Sequence, residues 1–138
     1  MSKAAIALTN ERKKAGENLR IDFSSDIPIF AQIAREIEDG ILSGAYEEES
    51  QVPSTTEIAS SFKINPATVL KGVNMLTDQE ILYKKRGVGM FVQKNAKEKI
   101  SVKRRNEFFE AYIMKLIDEA TKLGITKSEL IAMIEGEI

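Results

Sequence analysis

Three features of the sequence predict a mainly α fold with a small β-hairpin. They are an amphipathic helix with a sharp start at residues 65–76, a short helix with its own start signal just before it, and two β-like runs around a basic, glycine-containing turn just after it. Helix, turn, helix and basic hairpin in that order make a winged helix-turn-helix. Two further apolar-periodic segments follow and add a C-terminal helical hairpin. Residues 1–20 then form a flexible N-terminal arm, residues 21–94 the winged helix-turn-helix, and residues 95–138 a linker and two-helix tail.

In the arm, Ala4 to Leu8 is weakly helical before the chain turns charged, with Gly16 and Asn18 as breakers. Ile21 to Ile27 reads as a short extended piece leading to Pro28, which suits a first helical turn with Asp26 just ahead of it. Ile29, Phe30, Ile33, Ile37, Ile41 and Leu42 keep a helical period up to Gly44, so this is a core helix. Ala45 to Val52, with three consecutive glutamates, is a polar loop. Ser54 to Glu57 has the form of a capping box, and Ile58, Ala59 and Phe62 are the buried side of the helix it opens. About three residues on, Asn65 caps the next helix and Pro66 takes its first position, where no N–H is missed. Val69, Val73 and Leu76 form its apolar stripe, while Ala67, Thr68, Lys71 and Asn74 face away.

Ile81-Leu82-Tyr83 and Met90 to Gln93 are the β-like runs, with Lys84-Lys85-Arg86-Gly87-Val88-Gly89 between them. Gly87 and Gly89 permit a tight reversal that places the basic side chains at its tip. A phosphate cradle is a poor alternative, because G-x-G without a following helix is a weak signal. Lys94 to Arg105 is a charged connector, either solvated or adding phosphate-contacting charge. Phe108, Phe109, Tyr112, Leu116, Ile117, Ala120 and Leu123 line a helix that stops near Gly124. A second capping box, Thr126 to Glu129, opens a last helix carrying Leu130, Ile131, Met133 and Ile134. Two helices cannot hide this much apolar surface, so the tail packs on a second copy of itself or on the first core helix. A second copy is favoured, because pairing two DNA-reading modules links two binding events. With both helices committed to an interface, no small-molecule pocket is expected after the wing.

Composition narrows the function. A chain of 138 residues with 43% hydrophobic and 30% charged residues is ordinary for one soluble domain with a small appendage. No run approaches a membrane span and no leader follows the first Met, which predicts a cytoplasmic protein without membrane contact. Without Cys or His, disulfides, zinc sites and Ser-His or Cys-His catalysis are excluded, and no metal, cofactor or catalytic residue is expected. The net charge of −1 hides a segregation that matters more to a partner. Residues 21–62 hold one basic and nine acidic groups, whereas residues 63–105 hold eleven and three. The basic block begins at the helix capped by Asn65.

Taken together, Val52-Pro53-Ser54, Glu57-Ile58-Ala59, Asn65-Pro66-Ala67-Thr68-Val69 and Arg86-Gly87-Val88-Gly89-Met90-Phe91-Val92 resemble the GntR family of bacterial transcription regulators over about Asp26 to Val92. The Asn-Pro-x-Thr-Val form and the short tail are similar to its YtrA subfamily. The resemblance implies a dimeric regulator, most often a repressor, with no large effector-binding domain. Thr56 and Leu70 stand where many relatives carry arginine, and Met90 where the wing more usually has threonine. Two habitual DNA contacts are thereby missing, and Lys71, at a basic position of the YtrA-like pattern, is a partial substitute.

The expected partner is therefore double-stranded DNA, bound sequence-specifically by a homodimer on a two-fold operator. Asn65, Ala67 and Thr68 would approach base edges, and Lys71, Lys84, Lys85 and Arg86 would meet phosphate or enter a groove. Ser54, Thr55 and Thr56, at a helix start, would bond backbone phosphates, and Gly87 and Gly89 complete the wing contact. Phe108, Phe109, Tyr112, Leu116, Leu130 and Ile134 would form the dimer interface. The alternative is a protein-interaction module on the same scaffold. An enzyme using Glu36 and Glu38 or the Glu47–Glu49 run is disfavoured, since neighbouring helix positions point apart.

Overall fold

The structure, a computed structural model, describes residues 19–137. The expected helical turn at Ala4 to Leu8 lies outside the described residues. Contacts divide the chain into two compact units between Ile100 and Ser101.

The first unit orders its elements as α1 (Ile29–Leu42), α2 (Thr55–Phe62), α3 (Pro66–Asp78), β1 (Leu82–Lys85), β2 (Gly89–Val92) and the first turn of α4 (Ala96–Phe108). Ile33, Ile37 and Ile41 of α1 meet Ile58 of α2, Val69, Val73 and Leu76 of α3, and Ile81, Leu82 and Val92 of the hairpin in one buried core. Each large side chain so buried contributes roughly 1.5–3 kcal/mol, which makes this stripe the reason the helices assemble. The wing strands pair antiparallel with Leu82 opposite Val92 and Lys85 opposite Gly89. A third segment joins β2 where the Val52 amide bonds the Met90 carbonyl at 2.9 Å and the Val92 amide bonds the Ser50 carbonyl at 3.0 Å.

Local start signals match the geometry. The Ser54 hydroxyl accepts from the Glu57 amide at 3.0 Å while Glu57 accepts from the Ser54 amide at 3.1 Å, the reciprocal pair of a capping box. Asn65 accepts from the Ala67 amide at 2.8 Å, with Pro66 at the first position. Between these helices Lys63 adopts a left-handed conformation, φ +54°, and turns the chain in three residues.

Four readings need correction. Residues 19 and 20 are anchored, since Leu19 is buried and the Arg20 amide donates to Glu36 at 2.7 Å. Residues 23–27 are turns and bends, so the segment is not one extended piece. The Gln32 side chain gathers them, donating to the carbonyls of Asp22 and Ile27 and accepting from the Asp22 amide. Pro28 stands just outside α1 as its N-cap, with no side-chain cap, instead of within the first turn. The charged connector is helical from Ala96, because Ala96 and Ile100, one turn apart, both reach the first unit's core. Lys99 of that turn bonds the Glu80 carbonyl at 3.2 Å and lies 3.7 Å from its carboxylate.

The second unit continues α4 into a π-helical turn, Phe109–Ile113, then α5 (Met114–Lys122) and α6 (Lys127–Glu137). A π turn inserts a residue and rotates the faces on either side, so Phe108 to Leu123 is not one regular stripe. Thr126 accepts from the Glu129 amide at 3.2 Å, and its hydroxyl donates to the Glu129 carboxylate at 3.0 Å. Among the described residues of this unit only Ala120 is a buried hydrophobic. The side chains of α5 and α6 leave an apolar cleft of about 420 Å³ lined by Leu116, Ile117, Leu130, Ile131 and Ile134.

Candidate nucleic-acid interface

The core stripe of α3 dictates what its other side presents. Val69, Gly72, Val73 and Leu76 are buried, so Ala67, Leu70, Lys71 and Asn74 are exposed and Thr68 is half-buried. Gly72 is required for close approach: a Cβ there would lie 2.5 Å from the Phe30 carbonyl oxygen of α1. This contact sets how α3 lies against α1. Lys71 does not extend freely, since its ammonium sits 4.0 Å above the Phe30 ring, an attraction between the cation and the negative ring face.

At the start of α2, Ser54 and Thr55 are half-buried and Thr56 is exposed. The Ser54 hydroxyl is already an acceptor in the capping box, which leaves its hydrogen available to an incoming anion.

The wing differs in detail from the sequence reading. Lys84 and Lys85 belong to β1, opposite Met90 and Gly89, so only Arg86, Gly87 and Val88 form the reversal. The Val88 amide closes it on the Lys85 carbonyl at 2.9 Å, with Gly87 at φ +77°. All three basic side chains are exposed, and the Lys85 ammonium lies 4.2 Å from the Phe91 ring. Phe91 stacks in turn on Tyr83, at 5.9 Å between centroids. The Tyr83 hydroxyl donates to Glu49 at 2.6 Å, and holding that proton pushes the phenol above its usual range.

Sequence reasoning missed two residues here. Gln51 donates from its side chain to the Val88 carbonyl at 3.0 Å and ties the wing tip to the loop before α2. Gly89 leaves room for it, since a Cβ at Gly89, φ +146°, would meet the Gln51 amide nitrogen at 2.5 Å. A contact across 37 residues leaves no local pattern. Leu70 entered only as a departure from a family pattern, yet it lies on the outward side of α3, 47% exposed.

Within the second unit, Phe108, Phe109, Tyr112, Leu116 and Ile134 are exposed and Leu130 is half-buried. The Phe108 and Tyr112 rings pack at 5.5 Å, and Leu116, Leu130 and Ile134 line the apolar cleft.

Comparison with known proteins places this geometry. The family model described as bacterial regulatory proteins, gntR family, matches residues 30–92, which run from α1 to the end of the wing. The HTH-type transcriptional repressor YtrA of Bacillus subtilis is 29% identical over 112 residues, covering 81% of this chain and 85% of that protein. Longer curated repressors are matched over about a third of their length. A GntR-family transcriptional regulator from Bacteroides thetaiotaomicron is similar in structure, with a TM-score of 0.63 and 37% identity over 78% of this chain and 94% of that one. The DNA-binding domain of AraR, solved in complex with operator ORX1, is similar with a TM-score of 0.50 and 28% identity, over 54% of this chain and 95% of that one.

Proposed function

This chain belongs to the GntR family of bacterial regulatory proteins, and from that premise we propose that it is a cytoplasmic transcription repressor binding a two-fold operator as a homodimer. Residues 19–100 read the DNA and residues 101–137 pair the protomers. The observation that carries the reading is the capped start of α3, whose buried stripe turns small, polar and basic groups outward beside a basic wing.

Ala67 and Thr68, short side chains in the first turn of α3, approach base edges, with Asn65 closing the helix end. Lys84, Lys85 and Arg86 contact phosphates or the adjacent minor groove, and Gly87 and Gly89 let the wing backbone come close. Ser54, Thr55 and Thr56 bond phosphates at the start of α2. Lys71 reaches DNA by leaving the Phe30 ring, a loss of about 0.5–1 kcal/mol at an exposed site. The exposed Phe108, Phe109, Tyr112, Leu116 and Ile134, with Leu130, support pairing through the second unit, because burying large apolar side chains stabilises the dimer by roughly 1.5–3 kcal/mol each. The apolar cleft is then a seat for the partner's helix.

The test is selection of bound fragments from genomic DNA with the full-length protein, then salt titration on the enriched site and on random duplex. Affinity for both should fall steeply with salt, and the enriched site should bind far more tightly. Thr68→Ala should cost roughly 1–3 kcal/mol on the enriched site and little on random DNA. Binding that ignores sequence would remove the regulator reading, and a protein that sediments as a monomer at micromolar concentration would remove the dimer.

A further inference from the structure

We infer that Leu70, with Ala67 one turn before it, reads the 5-methyl group of a thymine in each operator half-site. The inference rests on the DNA-binding reading above and names what that same helix recognises. Leu70 lies within the first two turns of α3, and its side chain is 47% exposed. The core needs nothing from it, since Val69, Gly72, Val73 and Leu76 fill the buried side. Ala67 is also exposed, and residues three apart on a helix are surface neighbours, so the two side chains make one small apolar patch.

Two of the polar groups beside this patch have other contacts in the free protein. Asn65 spends its side-chain oxygen on the Ala67 amide at 2.8 Å. The Lys71 ammonium is drawn to the Phe30 ring at 4.0 Å. The Leu70 and Ala67 side chains themselves have no donor or acceptor. Set against a major groove, such a surface desolvates hydrogen-bonding base edges without replacing their water. It matches the one apolar feature the groove displays, the thymine methyl. The half-site should therefore carry an A·T pair at the step facing Leu70.

The experiment uses the full-length protein and the operator recovered by selection. Each thymine of one half-site is replaced singly by deoxyuridine, which removes the methyl group and leaves every hydrogen-bonding edge intact. One position should lose about four-fold in affinity, the worth of one buried methyl group, and the loss should double in logarithm when both half-sites are changed. In Leu70→Ala the same replacement should have a markedly smaller effect, and this exposed substitution should leave the melting temperature unchanged. If no thymine responds, or Leu70→Ala responds as the parent does, the methyl contact is overturned while DNA binding stands. If selection enriches no sequence, both readings fall.

Discussion

Replacing Gly72 by alanine tests how α3 is held against α1. In a helix interior alanine is favoured over glycine by about 1 kcal/mol, so propensity alone predicts a more stable protein. Packing opposes it. The new Cβ would stand 2.5 Å from the Phe30 carbonyl oxygen and 3.3 Å from Ile33 Cβ, where ordinary contacts begin at 3.4 Å. The nearest atom is backbone, so no rotamer change relieves the clash, and α1 and α3 must part by about 0.9 Å. Overpacking of this kind costs roughly 1–3 kcal/mol, and up to about 2 kcal/mol remains after the helical gain. For a unit of this size each kcal/mol moves the melting temperature by about 4–8 °C, so a drop of up to about 16 °C is expected. Operator affinity should fall as well, because the displaced helix carries Ala67, Thr68 and Leu70. Thermal unfolding followed by circular dichroism measures the first effect. A variant that melts at or above the parent temperature would refute the argument that this contact limits the approach of the helices.

Ser54→Ala removes the acceptor for the Glu57 amide and should destabilise by about 0.5–2 kcal/mol in urea titration, with Ser54→Asp recovering most of it. Lys84→Ala with Lys85→Ala should weaken binding to operator and random DNA alike and reduce the salt slope by about one to two units; an unchanged slope would place the wing off the DNA. Glu36 is held above the ordinary glutamate value of 4.5, first by burial and then by Asp39, against the Arg20 amide that favours its charge. A raised folded-state value means stability is fully present below pH 4.5 and is lost as pH rises through the raised value. The parent should therefore lose stability relative to Glu36→Gln as pH rises above 4.5, and melting curves that keep a constant gap through that rise would contradict it.

The elements that sequence alone determined are those whose causes lie within one or two turns. Ser54 and Glu57, or Asn65 and Pro66, satisfy a helix end among near neighbours, and Val69, Val73 and Leu76 mark a buried side by spacing alone. These residues carried the helix-turn-helix and the identity of its outward groups. Tertiary structure decided what depends on partners far along the chain. The segment after Gln93 is too charged to show a helical period, yet two apolar residues, Ala96 and Ile100, bind its first turn to a core built from other elements. Gln51 holds Val88 across 37 residues, and Gly72 matters only because Phe30 comes to face it. Lys71 faces outward by its spacing, but the aromatic ring beneath it is brought there only by folding. Local hydrogen bonds and periodicity are written along the chain, whereas close approach and ring contacts exist only once burial of the common core has brought distant segments together.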